Sequence, residues 1–327
     1  MLERREQLVA QDLGQPDGGL ICDGSGFPKQ GHYSIGVARQ YCGAVGKIAN
    51  GQHGVFVASA SSQGYPFVDR RLSLPEAWFS EAYAEKRARC GVPPEVVFQT
   101  EPALALEMVK GVTERGHLPF QWVMADEHYG MHPAFLDGVA ALGKCYFAEV
   151  PKTTYVWPEA VEILPPGQGP RGAPRTGLRV APGTSQAHDV QQLGAQLPDD
   201  AWRPYTIKEG SKGPITAAFA LLRATRKRGR RPGHPVWLIC RRGLEPGAEV
   251  TYSWRNAPAT CPPTTLVRLS GLRWPVETAL EEGKTEPGMD HDETRTWRGW
   301  HHQMTLTFLA HHFLLRLRLQ LKKKRPP

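Results

Sequence analysis

The chain of 327 residues lacks any apolar run approaching the roughly 20 residues that a membrane-spanning helix needs. Its first residues, MLERREQLVAQDLG, mix both signs of charge and lack the apolar stretch of a secretory signal. The six cysteines are scattered, and no two of them form a C-x-x-C pair. We therefore predict reduced, mostly buried thiols in a cytoplasmic protein, without a disulfide framework or a cysteine zinc site.

Positive charge is in excess and is concentrated in short segments. The formal net charge is +8 and hydrophobic residues make up 40% of the chain, which indicates a globular protein with a polyanionic partner. The segments RATRKRGRR and LKKKRPP resemble basic loops that neutralise DNA phosphates, although each alone is equally well explained as a solubilising loop or tail. The candidate DNA contacts are Arg223, Arg226, Lys227, Arg228, Arg230 and Arg231, with Lys29 and Arg39 as weaker candidates.

Three acidic residues stand at positions suited to binding divalent metal ions. Asp23 ends the apolar, strand-like run GGLICD, and Asp126 ends the run FQWVMAD. Glu277 lies in RWPVETALEEGK, on a predicted helix late in the sequence. Two carboxylates at strand ends and a third on a helix can together bind Mg²⁺ or Mn²⁺, which prefer oxygen ligands. Paired ions of this kind catalyse phosphodiester chemistry.

The segment around Glu277 predicts a helix that begins at Trp274 or Pro275, because proline is favoured in the first turn. Arg273 then lies just before the helix, and Lys284, seven residues after Glu277, returns to within about 20° of it. A carboxylate would thus lie between two cations on one narrow strip. The alternative is a solvated helix face with an ordinary Arg–Glu i,i+4 pair, and this segment alone does not decide between the two.

The spacing Arg273-x3-Glu277-x6-Lys284 resembles the signature that closes the active site of DDE transposases from bacterial insertion sequences. The stretches SIGVARQYCGAVGKIANGQHGVF, ADEHYG and GKTEPGMDHDETRTWRGWHHQMTL resemble one subgroup of these enzymes and follow in the expected order. The resemblance extends from about Asp23 to His312. It implies a ribonuclease-H-like core that is interrupted by a β-rich insertion.

The resemblance also implies roles for particular residues and partners. Asp23, Asp126 and Glu277 would hold two Mg²⁺ or Mn²⁺ ions, and Arg273 and Lys284 would bind phosphates at the scissile bond. The partner would be double-stranded DNA, both transposon ends and target, bound by a homodimer at the nucleoid in the bacterial cytoplasm, with no membrane involved.

The sequence departs from the family pattern in two ways that bear on function. Relatives often carry an acidic residue directly after the first aspartate, where this chain has Gly24. They also carry a DNA-binding region before that aspartate, which we expect this chain to lack because only a short leader precedes Asp23.

The order of predicted elements is three strands, helix, strand, helix and strand. It predicts an α/β fold with a ribonuclease-H-like mixed sheet and helices on both sides. The segment GPITAAFALLRATRKRG is predicted to be a helix within the insertion, and a last helix is predicted from about Glu293 to Lys322. The expected divisions are a leader helix (residues 1–14), the first part of the core (15–151), the β-rich insertion (152–265), and closing helices with a basic tail (266–327).

We therefore predict a DDE transposase that cuts transposon-end strands and joins the freed 3′-hydroxyl to target DNA. Two alternatives remain open from the sequence. One is a DNA-binding remnant that no longer transposes, and the other is a metal-dependent nuclease without strand transfer.

Overall fold

The structure, a computed structural model, describes residues 2–158, 161–168, 172, 174–175, 177–210, 213–229, 231–273 and 275–324. The chain forms two compact units. The first comprises Met1–Met124, Asp137–Lys144 and Leu272–Pro327, and the second comprises Ala125–Leu136 and Cys145–Gly271. The boundaries predicted for the insertion, at residues 152 and 265, stay predictions.

Helices and strands are interspersed along the chain. The helices are α1 (Leu2–Leu13), α2 (Ala84–Cys90), α3 (Glu101–Arg115), α4 (Glu127–Gly130), α5 (Pro133–Ala141), α6 (Val190–Ala195), α7 (Pro263–Arg273), α8 (Pro275–Thr285) and α9 (Trp297–Lys324). The strands are β1 (Gly19–Pro28), β2 (Ala38–Cys42), β3 (Lys47–Ala60), β4 (Phe67–Ser73), β5 (Trp122–Ala125), β6 (Cys145–Val150), β7 (Tyr155–Trp157), β8 (Ile163–Leu164), β9 (Gly167–Gln168), β10 (Pro174–Arg175), β11 (Arg179–Val180), β12 (His188–Asp189), β13 (Arg203–Gly210), β14 (Gly213–Arg228), β15 (Arg231–Arg242) and β16 (Thr251–Arg255).

The sheet of the first unit has helices on both faces. Its strand order is β5-β1-β3, and both β2 and β4 pair with β3. Phe56 on β3 lies opposite Asp23 and contacts Trp300 of α9, whereas the neighbouring Gly24 lies beside Glu101 of α3. Successive residues of a strand point to opposite faces, so α3 and α9 cover different faces. The predicted fold class, α/β with a large mixed sheet, is confirmed.

An aromatic cluster forms the core between the first-unit sheet and α9. The ring of Phe56 lies 6.0–6.5 Å from the rings of Phe27, Phe67, Trp300 and Phe308. All five side chains are buried. Burial of large aromatic side chains dominates core energetics, so this cluster fixes how α9 packs on β1, β3 and β4.

The second unit is rich in antiparallel strands. Its strand order is β12-β7-β14-β15-β16-β6, with β13 also paired to β14. The prediction of a helix at GPITAAFALLRATRKRG is wrong, because this segment forms the long strand β14. Strand β14 pairs with β15 on one edge and with β13 and β7 on the other. These ladders outweigh the helix propensity of its alanines and leucines.

Several predicted helices are confirmed, and one begins later than expected. The leader helix α1 lies within its predicted bounds of residues 1–14. The last helix begins at Trp297 rather than Glu293. The hydroxyl of Thr296 accepts a hydrogen bond from the Gly299 N–H at 3.0 Å, so Thr296 caps the helix and sets its start.

Candidate active site

Asp23 lies within a strand rather than at its end, which corrects the prediction. Strand β1 pairs with β3 along its whole length, from Gly19 opposite Ala60 to Pro28 opposite Gly51. This ladder carries the strand through the glycines that follow Asp23. The half-buried carboxylate accepts a hydrogen bond from the Gly24 N–H at 2.7 Å, which orients it.

Asp126 directly follows β5, as predicted. It caps the short helix α4, and its Oδ1 accepts a hydrogen bond from the Tyr129 N–H at 3.3 Å. The side chain is half-buried. One oxygen of Asp23 and one of Asp126 are therefore both held by backbone N–H groups, an arrangement that orients metal-binding carboxylates in proteins.

Glu277 lies in the first turn of α8, which begins at Pro275 as the sequence predicted; Trp274 lies outside the described residues. Its side chain is 60% exposed, and one carboxylate oxygen contacts Nη1 of Arg273. Arg273 is buried and ends α7. The cation and the carboxylate therefore form the predicted i,i+4 pair, with the charged tip of Glu277 in solvent.

The helix that carries Glu277 packs against the strand that carries Asp23. At the far end of α8, the half-buried Lys284 places its Nζ 5.5 Å from the centre of the Phe27 ring. Phe27 is four residues after Asp23 on the same strand and therefore points to the same face. Within the first unit, α8 thus covers the face of β1 to which Asp23 belongs.

The donor set fits a hard divalent cation, since all three predicted ligands offer carboxylate oxygens. Among the described residues, however, no group of three or more His, Cys, Asp or Glu side chains lies close enough together to hold a metal ion. In this structure the Glu277 carboxylate forms its ion pair with the Arg273 guanidinium. The ligand roles of Asp23, Asp126 and Glu277 stay predictions.

A histidine–glutamate pair lies beside Asp23 and was not found from the sequence. His53 Nδ1 lies 2.7 Å from Glu101 Oε1. A Cβ at Gly24 would lie 2.6 Å from the His53 ring and 3.5 Å from Glu101 Oε2. The missing side chain at Gly24 therefore makes room for this pair. Residues 53 and 101 are far apart in sequence, and no local spacing predicts their contact.

The two weaker candidates for DNA contact differ in exposure. The Lys29 side chain is only 10% exposed, and its Nζ lies 3.8 Å from Oδ2 of the buried Asp292. Burial lowers the pKa of Lys29, although nearby Asp292 opposes this. Lys29 thus forms an ion pair inside the protein, which corrects its prediction as a DNA contact. Arg39 is exposed on β2, and its contact with DNA stays a prediction.

The segment RATRKRGRR is a β-hairpin and not the predicted loop. Strands β14 and β15 continue to the pair Arg228–Arg231, and Gly229 makes the turn with a φ of 59°. Lys227, Arg228 and Arg231 are exposed, as a DNA contact requires. Arg230 lies outside the described residues, as do Arg325–Pro327 of the basic tail.

Two arginines of the hairpin point away from its exposed tip. Arg226 is only 2% exposed, donates a hydrogen bond to the Tyr146 hydroxyl at 3.0 Å, and lies 4.9 Å from the centre of the Trp254 ring. The half-buried Arg223 lies 5.1 Å from the Trp237 ring, and burial lowers its pKa. Arg226 therefore stabilises the second unit, which corrects its prediction as a DNA contact.

Comparison with known proteins gives one family. Residues 3–214 match the family model described as DDE superfamily endonuclease. The matched range contains Asp23 and Asp126, whereas Glu277 lies beyond it. No curated protein matches the chain. Among the described residues, no helix is both long and apolar enough to cross a membrane.

Proposed function

Because the chain belongs to the DDE superfamily of endonucleases, a family of DNA-cleaving enzymes, we propose that it cuts DNA strands and joins the cut end to a second DNA, as a transposase does. The observation that carries this proposal is the family match over residues 3–214. The Arg273–Glu277–Lys284 spacing beyond that range supports strand transfer in addition to cleavage.

Asp23, Asp126 and Glu277 are proposed to bind two Mg²⁺ or Mn²⁺ ions, and nucleases of this family generally use divalent metals. Such ions, when bound, activate an attacking oxygen and stabilise the leaving oxygen of a phosphodiester. The backbone N–H groups of Gly24 and Tyr129 hold one oxygen of each aspartate. The exposure of Glu277 leaves its carboxylate accessible to an incoming cation.

Arg273 and Lys284 are proposed to bind the phosphates on either side of the cut. The Arg273 guanidinium would offer N–H donors to an oxygen of such a phosphate. Lys284, in the last turn of α8, would supply a single positive charge to the other phosphate.

The reaction has two steps. In the first, water attacks a phosphodiester at the transposon end, and the bond to the 3′ oxygen breaks to give a free 3′-hydroxyl. In the second, that hydroxyl attacks a phosphodiester of the target, loses its proton, and releases a 3′-hydroxyl on the target strand. The exposed hairpin cations Lys227, Arg228 and Arg231 are proposed to hold the DNA backbone during both steps. The setting is expected to be the nucleoid of a bacterial cytoplasm.

The proposed homodimer has a candidate surface on α9. Exposed apolar side chains form one stripe, namely Leu306, Leu309, Phe313, Leu317 and Leu321, each 40–64% exposed. Leu309 and Leu317 each lie four residues from Phe313, so the stripe is self-complementary when two α9 helices pair antiparallel about Phe313, as a twofold interface requires. The neighbouring Arg316 and Arg318 are paired with Asp12 and Glu282 of their own chain, which reduces repulsion between copies.

The test uses the purified chain, a supercoiled plasmid, and a labelled duplex with a pre-cut 3′-hydroxyl end. A transposase is expected to nick the plasmid and also to join the labelled strand to it when Mg²⁺ or Mn²⁺ is present. Nicking without joined product would favour the nuclease without strand transfer. Salt-sensitive binding without either product would favour the DNA-binding remnant.

A further inference from the structure

A β-ribbon beside the first aspartate presents an exposed surface that the proposed chemistry does not use. The ribbon consists of residues 38–50, namely β2, its turn, and the first part of β3. Pairing of β1 with β3 stops at Gly51, so residues 47–50 pair in a ladder only with β2. The ribbon therefore projects past the end of the β1 ladder.

The inner face of the ribbon is fixed to the first unit. Cys42 is buried against β1, where a Cβ at Gly26 would lie 2.8 Å from the Cys42 sulfur. Gln40, on the same face as Cys42, donates to the Gly51 carbonyl at 2.8 Å. Asn50, opposite Arg39 at the base of the ribbon, donates from its side chain to the Lys29 carbonyl at 2.7 Å. These contacts hold the ribbon on β1, three residues beyond Asp23.

The outer face is apolar and cationic. Tyr41 and Ile48 lie directly opposite each other across the ribbon and are 65% and 61% exposed. Arg39 is two residues before Tyr41, hence on the same face, and is also exposed. Lys47 is a second exposed cation of the ribbon, although it lies opposite Cys42 and therefore belongs to the other face. The sequence ARQYCGAVGKIAN contains no acidic residue, so the ribbon carries only positive formal charge.

This combination fits DNA bases that are exposed beside a strand cut. Arg39 and Lys47 match the negative backbone. Tyr41 and Ile48 offer flat and branched apolar groups without a pattern of donors and acceptors, so they suit base faces rather than base edges. A two-stranded ribbon is also narrow enough to enter a DNA groove. We propose that this ribbon binds unpaired or unstacked bases of the DNA next to the cleavage site, with Tyr41 stacking on a base.

The inference deepens the proposed function and rests on DNA being the substrate. Its test measures equilibrium binding of the full chain to two labelled DNAs, a fully paired duplex and the same duplex with a central unpaired stretch. All proteins carry Asp126→Asn and are kept in EDTA, so that cleavage does not interfere. The variants compared are Tyr41→Ala, Tyr41→Phe and Tyr33→Ala. Tyr33 is a matched control, because it is 62% exposed and lies outside the ribbon.

Loss of one stacked base predicts that Tyr41→Ala weakens binding to the unpaired DNA by about 5- to 150-fold. Binding to the paired duplex is expected to change much less, and Tyr41→Phe is expected to bind like the parent because its ring still stacks. Arg39→Gln is expected to weaken binding to both DNAs and to reduce the salt slope by about 1.

Equal affinities for Tyr41→Ala and Tyr33→Ala would overturn the inference. A change in the mass of the DNA-free protein on Tyr41→Ala would also overturn it, because the ribbon would then be an interface between copies of the chain. The plasmid assay is separate. If the parent chain nicks plasmid but Tyr41→Ala binds normally, only the inference fails. If the parent never nicks but Tyr41 still governs binding to unpaired DNA, only the proposed cleavage fails.

Discussion

Replacement of Glu277 by glutamine is expected to abolish strand cleavage while leaving the fold almost unchanged. The substitution keeps the size of the side chain and removes its charge. In the structure the side chain is 60% exposed and touches the Arg273 guanidinium. Its cost in stability therefore comes from the ion pair with the buried Arg273 and from the loss of a carboxylate at a helix N-terminus.

Both of these contributions are small. Glu277 is solvent-exposed and a glutamine amide oxygen can still accept from Arg273, so loss of the ion pair is expected to cost about 0.2–1 kcal/mol. A carboxylate in the first turn adds about 0.3–1 kcal/mol through the helix dipole. The sum is roughly 1 kcal/mol, which corresponds to a drop in melting temperature of about 2–4 °C for a domain of ordinary size. Loss of a group that supports a metal ligand costs about 10- to 100-fold in affinity or activity, so loss of a ligand itself is expected to cost at least about 100-fold.

The assay pairs thermal unfolding with plasmid nicking in Mg²⁺ or Mn²⁺. Glu281→Gln is the matched control, since Glu281 is an exposed glutamate four residues further along the same helix. It is expected to nick like the parent. Undiminished nicking by Glu277→Gln would refute the metal-ligand role. A fall in melting temperature well beyond 10 °C would refute the energetic reasoning, because lost cleavage would then reflect lost structure.

Three further predictions test other parts of the structure. Burial lowers the pKa of His301 from 6.5 to about 4. The stability that comes from keeping this histidine neutral is therefore present above pH 6.5 and is lost as the pH falls toward 4. Chemical denaturation at several pH values should show that His301→Gln loses less stability on acidification than the parent chain does. Phe308 is 1% exposed, and its ring stacks on that of Phe67 with 4.5 Å between the ring centres. Phe308→Ala should therefore lower the free energy of unfolding in denaturant by about 3–5 kcal/mol. A decrease below about 1 kcal/mol would contradict this packing. Phe313→Glu should convert a dimer to a monomer in mass measurements, and an unchanged mass would exclude the α9 stripe as the interface.

Local sequence signals were sufficient to predict the bounds of several helices of the first unit. The leader helix and α3 have recognisable first turns, and α3 ends where Gly116 takes a φ of 67°, a conformation that glycine adopts easily. The start of α8 followed from Pro275. In each case the determining residues lie within one or two helical turns of the boundary.

Signals that depend on distant partners could not be read from the sequence. Strand β14 has a helix-like composition, and only its pairing with β13 and β15 makes it extended. Strand β1 continues past Asp23 because β3 supplies hydrogen bonds that no local pattern reveals. Both differences have the same cause, namely tertiary pairing that overrides local propensity.

A contact between neighbouring charges could be predicted from spacing, but the surroundings of most individual charges could not. The Arg273–Glu277 pair follows from its i,i+4 spacing. The burial of Arg226 between aromatic rings could not, because Tyr146 is 80 residues away in sequence. A run of basic residues in sequence therefore does not reveal which of them face solvent.

The most direct test of the central claim is metal-dependent nicking of supercoiled plasmid by the purified chain and by Asp126→Asn. Glu127→Gln is the control, since Glu127 is the adjacent exposed carboxylate. Nicking by the parent chain is expected to require Mg²⁺ or Mn²⁺ and to stop with EDTA. It is expected to be lost in Asp126→Asn and kept in Glu127→Gln. Equal nicking by the parent and Asp126→Asn, or DNA binding by the parent without any nicking, would contradict the central claim.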